Sequence, residues 1–331
     1  MKKIGVLTSG GDSQGMNAAI YATVRYGIQK GLTVYGLRGG YQGLIDGKVE
    51  ELTAKSVENI AHRGGTILGT ARCAAMKTPA GQKKAVATLQ QYGIEGLVVI
   101  GGDGSFNGAK VLSTKYGINT VGIPGTIDND LAYTDYTLGF DSATATVVNA
   151  VKGLRDTMSC NDRTCVVEVM GRDCGDIALY AGIASGAEVV LVPEVEVDFD
   201  KVASTLKHNA KAGKLDNMIL VSEGVRFNGE YVSGKVADTV MAEIKTRMPK
   251  INVRSVVLGH MQRSGDATLT DTLLGIRMGE HAVKCLVSGK TDRVIGIKNN
   301  KIFDEDIVEA LSKVKTFDAK TYAFAKTLVK Y

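Results

Sequence analysis

The chain is short of cysteine, of proline and of long apolar runs, and each shortage removes a class of protein. Five cysteines stand among 331 residues (Cys73, Cys160, Cys165, Cys174 and Cys285), an odd number with no Cys-x-x-Cys pair. That usage argues against a disulfide scaffold and for a reducing, cytoplasmic setting. Four prolines, at 79, 124, 193 and 249, leave no proline-rich linker. Two lobes sharing crossover segments are therefore expected, not two domains on a string. No apolar run nears the roughly 18 residues of a membrane span, and the apolar stretch at the start is too short for a signal peptide. Charge of either sign is not in excess: Lys plus Arg is 40 against 35 for Asp plus Glu, a net +5. That is too mild for a nucleic-acid or membrane surface, though it suits an anionic small molecule if arginines converge. The expectation is a soluble intracellular protein.

Glycine is what the chain has in plenty, 40 residues, well above the usual ~7%. Such an excess fits tight strand-to-helix turns or backbone brought close to phosphate. With 44% hydrophobic residues, the chain can bury a sizeable core. Ile4–Leu7 reads as a buried strand, followed by the turn Thr8-Ser9-Gly10-Gly11-Asp12. Met16, Ile20, Val24 and Ile28 then recur every four residues until Gly31, predicting an amphipathic helix. Strands are predicted at Val34–Leu37, Leu97–Ile100, Thr164–Val169, Val189–Val192 and Met218–Val221, with a helix over Phe199–Ala212. Alternating helices and apolar strands predict a parallel, doubly wound α/β fold.

Two glycine-rich turns stand where a strand would hand over to a helix, Gly10-Gly11-Asp12 and Gly101-Gly102-Asp103-Gly104-Ser105. Free N–H groups and the positive end of a helix there receive phosphate, and Asp103 adds a carboxylate for Mg²⁺. The plain alternative is that such turns need glycine anyway. A dinucleotide fingerprint is excluded, because Gly102-x-Gly104 meets its third glycine one residue late, at 108. Gly289-Lys290-Thr291 is no P-loop, since the required earlier glycine is Lys284. Pro124-Gly125-Thr126-Ile127-Asp128-Asn129-Asp130 closes another strand-like run. In an extended backbone Asp128 and Asp130 point to one side, as a general base and its support would. A polar turn explains the same residues without catalysis. Arg163, Arg172, Arg254 and Arg263, with His260, flank later strands, where doubly wound sheets bind ligands. Cys73 is the thiol to examine for reactivity; Cys165 and Cys174 read as packing.

Taken together, TSGGD (8–12), GGT and ARC (64–73), GGDGS (101–105), PGTIDND (124–130), VEVMGRDCGD (167–176) and GHMQRSG (259–265) resemble 6-phosphofructokinases of the bacterial ATP-dependent type, essentially end to end. The resemblance implies two Rossmann-like lobes, each of three α/β/α layers, with the active site in the cleft between them. It places ATP on residues 1–139 plus 262–312 and fructose 6-phosphate on 140–261 plus 313–331. Asp128 then matches the general base on the 1-hydroxyl, with Asp130 and Thr126 beside it and Arg172 and Gly11 stabilising the transferring phosphoryl. Gly11, Arg72, Cys73, Gly102, Asp103, Gly104 and Ser105 match ATP positions, Asp103 at the magnesium. Met170, Gly171, Glu223 and His260 match sugar positions, and Arg163, Arg254 and Arg263 those around the 6-phosphate. Arg163 and Arg254 come from a neighbouring subunit in the family, which implies a homotetramer.

Pyrophosphate-dependent relatives carry Asp and Lys where this chain has Gly104 and Gly125, so the resemblance favours ATP. A catalytically silent regulatory subunit would be expected to lose the base, yet Asp128 is present. Arg25, Arg155, Glu188 and Lys214 match the family's pocket for ADP and phosphoenolpyruvate. Tyr21, Ala54 and Ala212 replace three of its usual cations, each worth roughly 1 kcal/mol or more in charge-assisted bonds. Blunted or altered allostery with intact catalysis is expected. The stretch 226–250 is longer than in compact bacterial members.

Overall fold

The computed structural model describes residues 1–232 and 234–328. Ser233, inside the 226–250 stretch, and residues 329–331, at the end of the expected second lobe, lie outside the described residues. The chain divides into two compact units. The first holds Met1–Ile127, Leu131–Ser142 and Arg263–Lys315; the second holds Asp128–Asp130, Ala143–Gln262 and the residues from Thr316 on.

In chain order the elements begin with β1 (Lys3–Thr8), α1 (Met16–Gln29), β2 (Thr33–Leu37), α2 (Gly40–Ile45) and β3 (Val49–Leu52). There follow α3 (Pro79–Tyr92), β4 (Gly96–Gly101), α4 (Asp103–Tyr116), β5 (Asn119–Pro124) and α5 (Phe140–Ser159). Next come β6 (Thr164–Val169), α6 (Asp176–Ser185), β7 (Val189–Leu191), α7 (Phe199–Lys211) and β8 (Met218–Ser222). The 226–250 stretch is a hairpin of β9 (Arg226–Phe227) and β10 (Glu230–Tyr231) followed by α8 (Val236–Arg247). The chain ends with β11 (Val253–Val257), α9 (Leu269–Val287), β12 (Arg293–Lys298), β13 (Lys301–Asp306), α10 (Ile307–Ser312) and α11 (Ala319–Leu328).

Seven strands of the first unit form one sheet in the order β13-β12-β5-β4-β1-β2-β3. Its central strands are apolar without alternation because both faces are covered. Along β4, Val98 and Ile100 join one buried cluster while Leu97 and Val99 join another. A wholly parallel sheet is not what forms: β3 runs antiparallel to β2, and β13 antiparallel to β12. These two edge strands, VEEL and KIFDED, are largely half-buried and rich in charge, so they carry none of the apolar signal of the centre. In the second unit the sheet order is β11-β6-β8-β7, and every pairing is parallel. Its edge strand β7 has its Val190 carbonyl accepting a hydrogen bond from the Tyr322 hydroxyl of α11 at 3.3 Å. No helix among the described residues is long and apolar enough to cross a membrane.

Candidate active site

In the first unit three turns sit level with one another. The register pairs Thr8 with Ile100 and Gly101 with Pro124, so β1, β4 and β5 finish side by side. The carboxyl ends of adjacent parallel strands are where such sheets bind ligands. Hydrogen bonds tie the turns together. The Ser9 N–H donates to the Ile100 carbonyl at 2.9 Å, and the Ser105 hydroxyl donates to the Ser9 carbonyl at 3.1 Å. Tyr41 donates to the Ser105 carbonyl at 2.7 Å; burial pushes its pKa far up, so it stays a donor. Ser105, expected at ATP, thus spends its hydroxyl on joining two loops. Gly102 and Asp103 open α4, whose free N–H groups face the same end. Asp103 is exposed, with one carboxylate oxygen accepting from the Asn107 amide at 3.1 Å. A Cβ added to Gly104 would meet no protein atom within 4 Å, leaving space above the loop open. Arg263 lies here too: its guanidinium donates to the Asp12 carbonyl at 2.6 Å and packs on Gly11. Arg72 is exposed, and Cys73 is half-buried with its thiol donating to Gln42 Oε1 at 3.4 Å.

In the second unit β11, β6 and β8 also end level, with Val257 paired to Glu168 and Val169 to Ser222. Met170, Gly171, Arg172, Glu223 and His260 follow those ends directly. The Asp128–Asp130 segment belongs to this unit, and Arg172 Nε lies 3.2 Å from Asp128 Oδ2. The Asp128 side chain is 1% exposed and that of Arg172 59%. The base candidate is therefore sequestered while the cation beside it still reaches outward. Beside this contact, Asn129 at φ 53° and Arg172 at φ 52° take the left-handed backbone that non-glycine residues seldom adopt. Both are held. The Arg172 N–H donates to Glu223 Oε1 at 3.2 Å, and a Cβ on Gly224 would sit 1.7 Å from the Arg172 carbonyl oxygen. The Asn129 amide donates to Asp176 Oδ2 at 2.8 Å. The buried Gln262 accepts from the Met170 N–H at 3.1 Å.

Not every expected residue gathers at these ends. Arg163 precedes β6, and Arg254 is the second residue of β11, paired with Cys165. Both lie at the opposite end of the sheet from Met170 and His260, so within one chain they do not join the others. The sequence argument placed them at strand ends without distinguishing the two ends, and they stand at the amino ends of β6 and β11. Of the effector set, Arg155 and Lys214 both contact the buried Glu188, at 3.2 and 3.1 Å. Arg25 is in the first unit, beside a cavity of about 660 Å³ with Tyr21, Ala54 and His62. Sequence reasoning assigned nothing to Asn129, Asp176 or Gln262, although all three fall inside the motifs it singled out.

The phosphofructokinase family model matches residues 3–286. The chain is 54% identical over 328 residues to the ATP-dependent 6-phosphofructokinase of Clostridium tetani, with 99% of each covered. It is 52% identical over 330 residues to that of Clostridium botulinum, with 100% of each covered. Among solved structures, phosphofructokinase from Saccharomyces cerevisiae is similar at 33% identity with a TM-score of 0.87. That match takes in 99% of this chain, which spans about half (47%) of the yeast chain. A pyrophosphate-dependent phosphofructokinase from Nitrosospira multiformis shares the fold at 22% identity and a TM-score of 0.87, covering 100% of this chain and 92% of the other.

Proposed function

Because the chain belongs to the phosphofructokinase family, we propose that it transfers the γ-phosphoryl of ATP to the 1-hydroxyl of fructose 6-phosphate. The products are fructose 1,6-bisphosphate and ADP, the committed step of glycolysis, in the cytoplasm. The observation that carries this reading is the contact of buried Asp128 with exposed Arg172. Asp128 takes the proton of the 1-hydroxyl as that oxygen attacks phosphorus. Asp130 and Thr126 flank it. Arg172 holds the base with its Nε, and the rest of its guanidinium offers charge to the phosphoryl group. The Gly11 N–H adds a second donor. Positioning and charge stabilisation are the main work in phosphoryl transfer.

ATP lies along the first unit's turns, on Gly11, Arg72, Cys73 and Gly102 to Ser105. The Asp103 carboxylate suits Mg²⁺, which binds through one or two carboxylates plus phosphate oxygens and keeps the rest of its shell as water. With Asn107 on one oxygen, the other remains for the ion, whose charge would neutralise the β- and γ-phosphates. Met170, Gly171, Glu223 and His260 hold the sugar. Arg163, Arg254 and Arg263 take its 6-phosphate, the first two from a neighbouring copy, in a homotetramer. Their place at the far end of the strands supports that sharing. ADP and phosphoenolpyruvate would act through Arg25, Arg155, Glu188 and Lys214, with weak effect.

The test is a donor-by-acceptor assay, fructose 6-phosphate with ATP or with pyrophosphate. Turnover with ATP and none with pyrophosphate is expected; the reverse would overturn the reading. Asp128→Asn should lower kcat roughly a hundred- to ten-thousand-fold, and near-normal turnover would remove Asp128 from its role.

A further inference from the structure

We infer that Asp176 is a positioning residue for this reaction, acting through Asn129 on the base. The inference rests on the function proposed above and adds a residue to it. Asn129 stands between Asp128 and Asp130 and takes the left-handed backbone at φ 53°. That turn directs the two carboxylates, since an extended backbone at 129 would send the chain on along another path. Asparagine tolerates the conformation without specifying it. The hydrogen bond from the Asn129 amide to Asp176 Oδ2, 2.8 Å long and buried, holds it there. Asp176 is 7% exposed and is the first residue of α6, so its own place is fixed by a rigid element. The Cys174 thiol, in the same loop, lies 3.8 Å from the Asn129 carbonyl oxygen.

The base and its arginine are thus held from two sides by two carboxylates. Glu223 holds the Arg172 backbone, and Asp176 holds the Asn129 side chain. Each keeps a left-handed residue in place, and the Asp128–Arg172 contact of 3.2 Å lies between them. Releasing one side lets the base carboxylate drift. Rate depends steeply on that placement, because the attacking hydroxyl has to be met within hydrogen-bond reach.

The experiment is a double-mutant cycle on the full-length enzyme, read as kcat with ATP and fructose 6-phosphate. Asp176→Ala should lower kcat by roughly a hundredfold, the scale of a misplacement of about 1 Å, with the KM for ATP unchanged. Asp176→Asn keeps an acceptor and should retain most of the turnover. Glycine takes the left-handed backbone freely and has no amide to hold. In an Asn129→Gly background, adding Asp176→Ala should therefore change kcat little. If Asp176 serves only as the polar start of α6, its loss costs the same factor in both backgrounds, which would overturn the inference. An unchanged kcat in the Asp176→Ala single variant would do so as well. Should that variant not fold, Asp176→Ser keeps a polar helix start but is too short to reach Asn129, and the same outcomes apply. Absence of wild-type turnover would overturn the functional reading and this inference with it; wild-type turnover with an additive cycle overturns the inference alone.

Discussion

Two glycines, both read from sequence as marks of the ATP donor, differ in what surrounds them. A Cβ at Gly104 meets no protein atom within 4 Å. Gly104→Asp is therefore expected to melt like the wild type. Its carboxylate would face the nucleotide phosphates, a repulsion of about 1.4 kcal/mol or more, so the KM for ATP should rise roughly tenfold. Thermal melting and ATP titration check the two halves separately. At Gly125 a Cβ would fall 2.9 Å from Ile100 Cγ2 and 3.0 Å from Met16 Cε. Gly125→Ala should thus cost about 1–3 kcal/mol of stability by overpacking, measurable by urea denaturation. The donor meaning expected of Gly125 comes from a motif. Its packing role does not, because Ile100 and Met16 reach it from far along the chain.

The start of α5 depends on a residue from another helix. Asp271, 1% exposed in α9, accepts from the Gly139 N–H, the Ser142 N–H and the Ser142 hydroxyl at 2.9, 2.8 and 2.6 Å. Burial nonetheless pushes its pKa up to about 6, against those three hydrogen bonds. A carboxyl whose pKa is higher folded than unfolded holds its proton more tightly when folded. Its contribution is complete below about pH 4 and is lost as pH rises through 6, by about 3 kcal/mol in all. Urea melts of the wild type and Asp271→Asn at about pH 4 and pH 7 test this: the wild type's stability relative to the variant should fall as pH rises. Elements like α1, predicted from Met16 to Ile28 and found over Met16–Gln29, were legible because one apolar stripe repeats. The run Leu97–Ile100 was legible because both its faces are buried. The charged edges β3 and β13 were not, since neither has a fully buried side to leave a pattern. The motifs of the candidate site were legible, but its geometry was not. Asp128 and Arg172 are 44 positions apart, and only the fold brings them to 3.2 Å. The left-handed turn at Arg172 has no marker in the local sequence; what holds it, Glu223 beside Gly224, lies far along the chain.

For the whole molecule, Arg163 and Arg254 set the sharpest expectation. They sit at the amino ends of β6 and β11, and the shared-site reading sends them to another copy. Asp128→Asn and Arg254→Ala subunits, each nearly inactive alone, should regain activity when dissociated and reassembled together. A site built from the Asp128 of one subunit and the Arg254 of the other is then intact. Activity no greater than the sum of the separate variants would show that each chain completes its own site. The edge strand β7 has a different consequence. Val189–Leu191 is apolar and, among the described residues, pairs on one side only, with β8, and an edge of that kind is a template for another chain's strand. The edges β3 and β13 are defended by their own carboxylates, whereas β7 has no charge in its sequence. What stands beside it is α11, through the Tyr322 hydroxyl on the Val190 carbonyl. Removing α11 is therefore expected to bare that edge: a chain cut before Ala319 should scatter light as it is refolded, while the full-length chain stays clear.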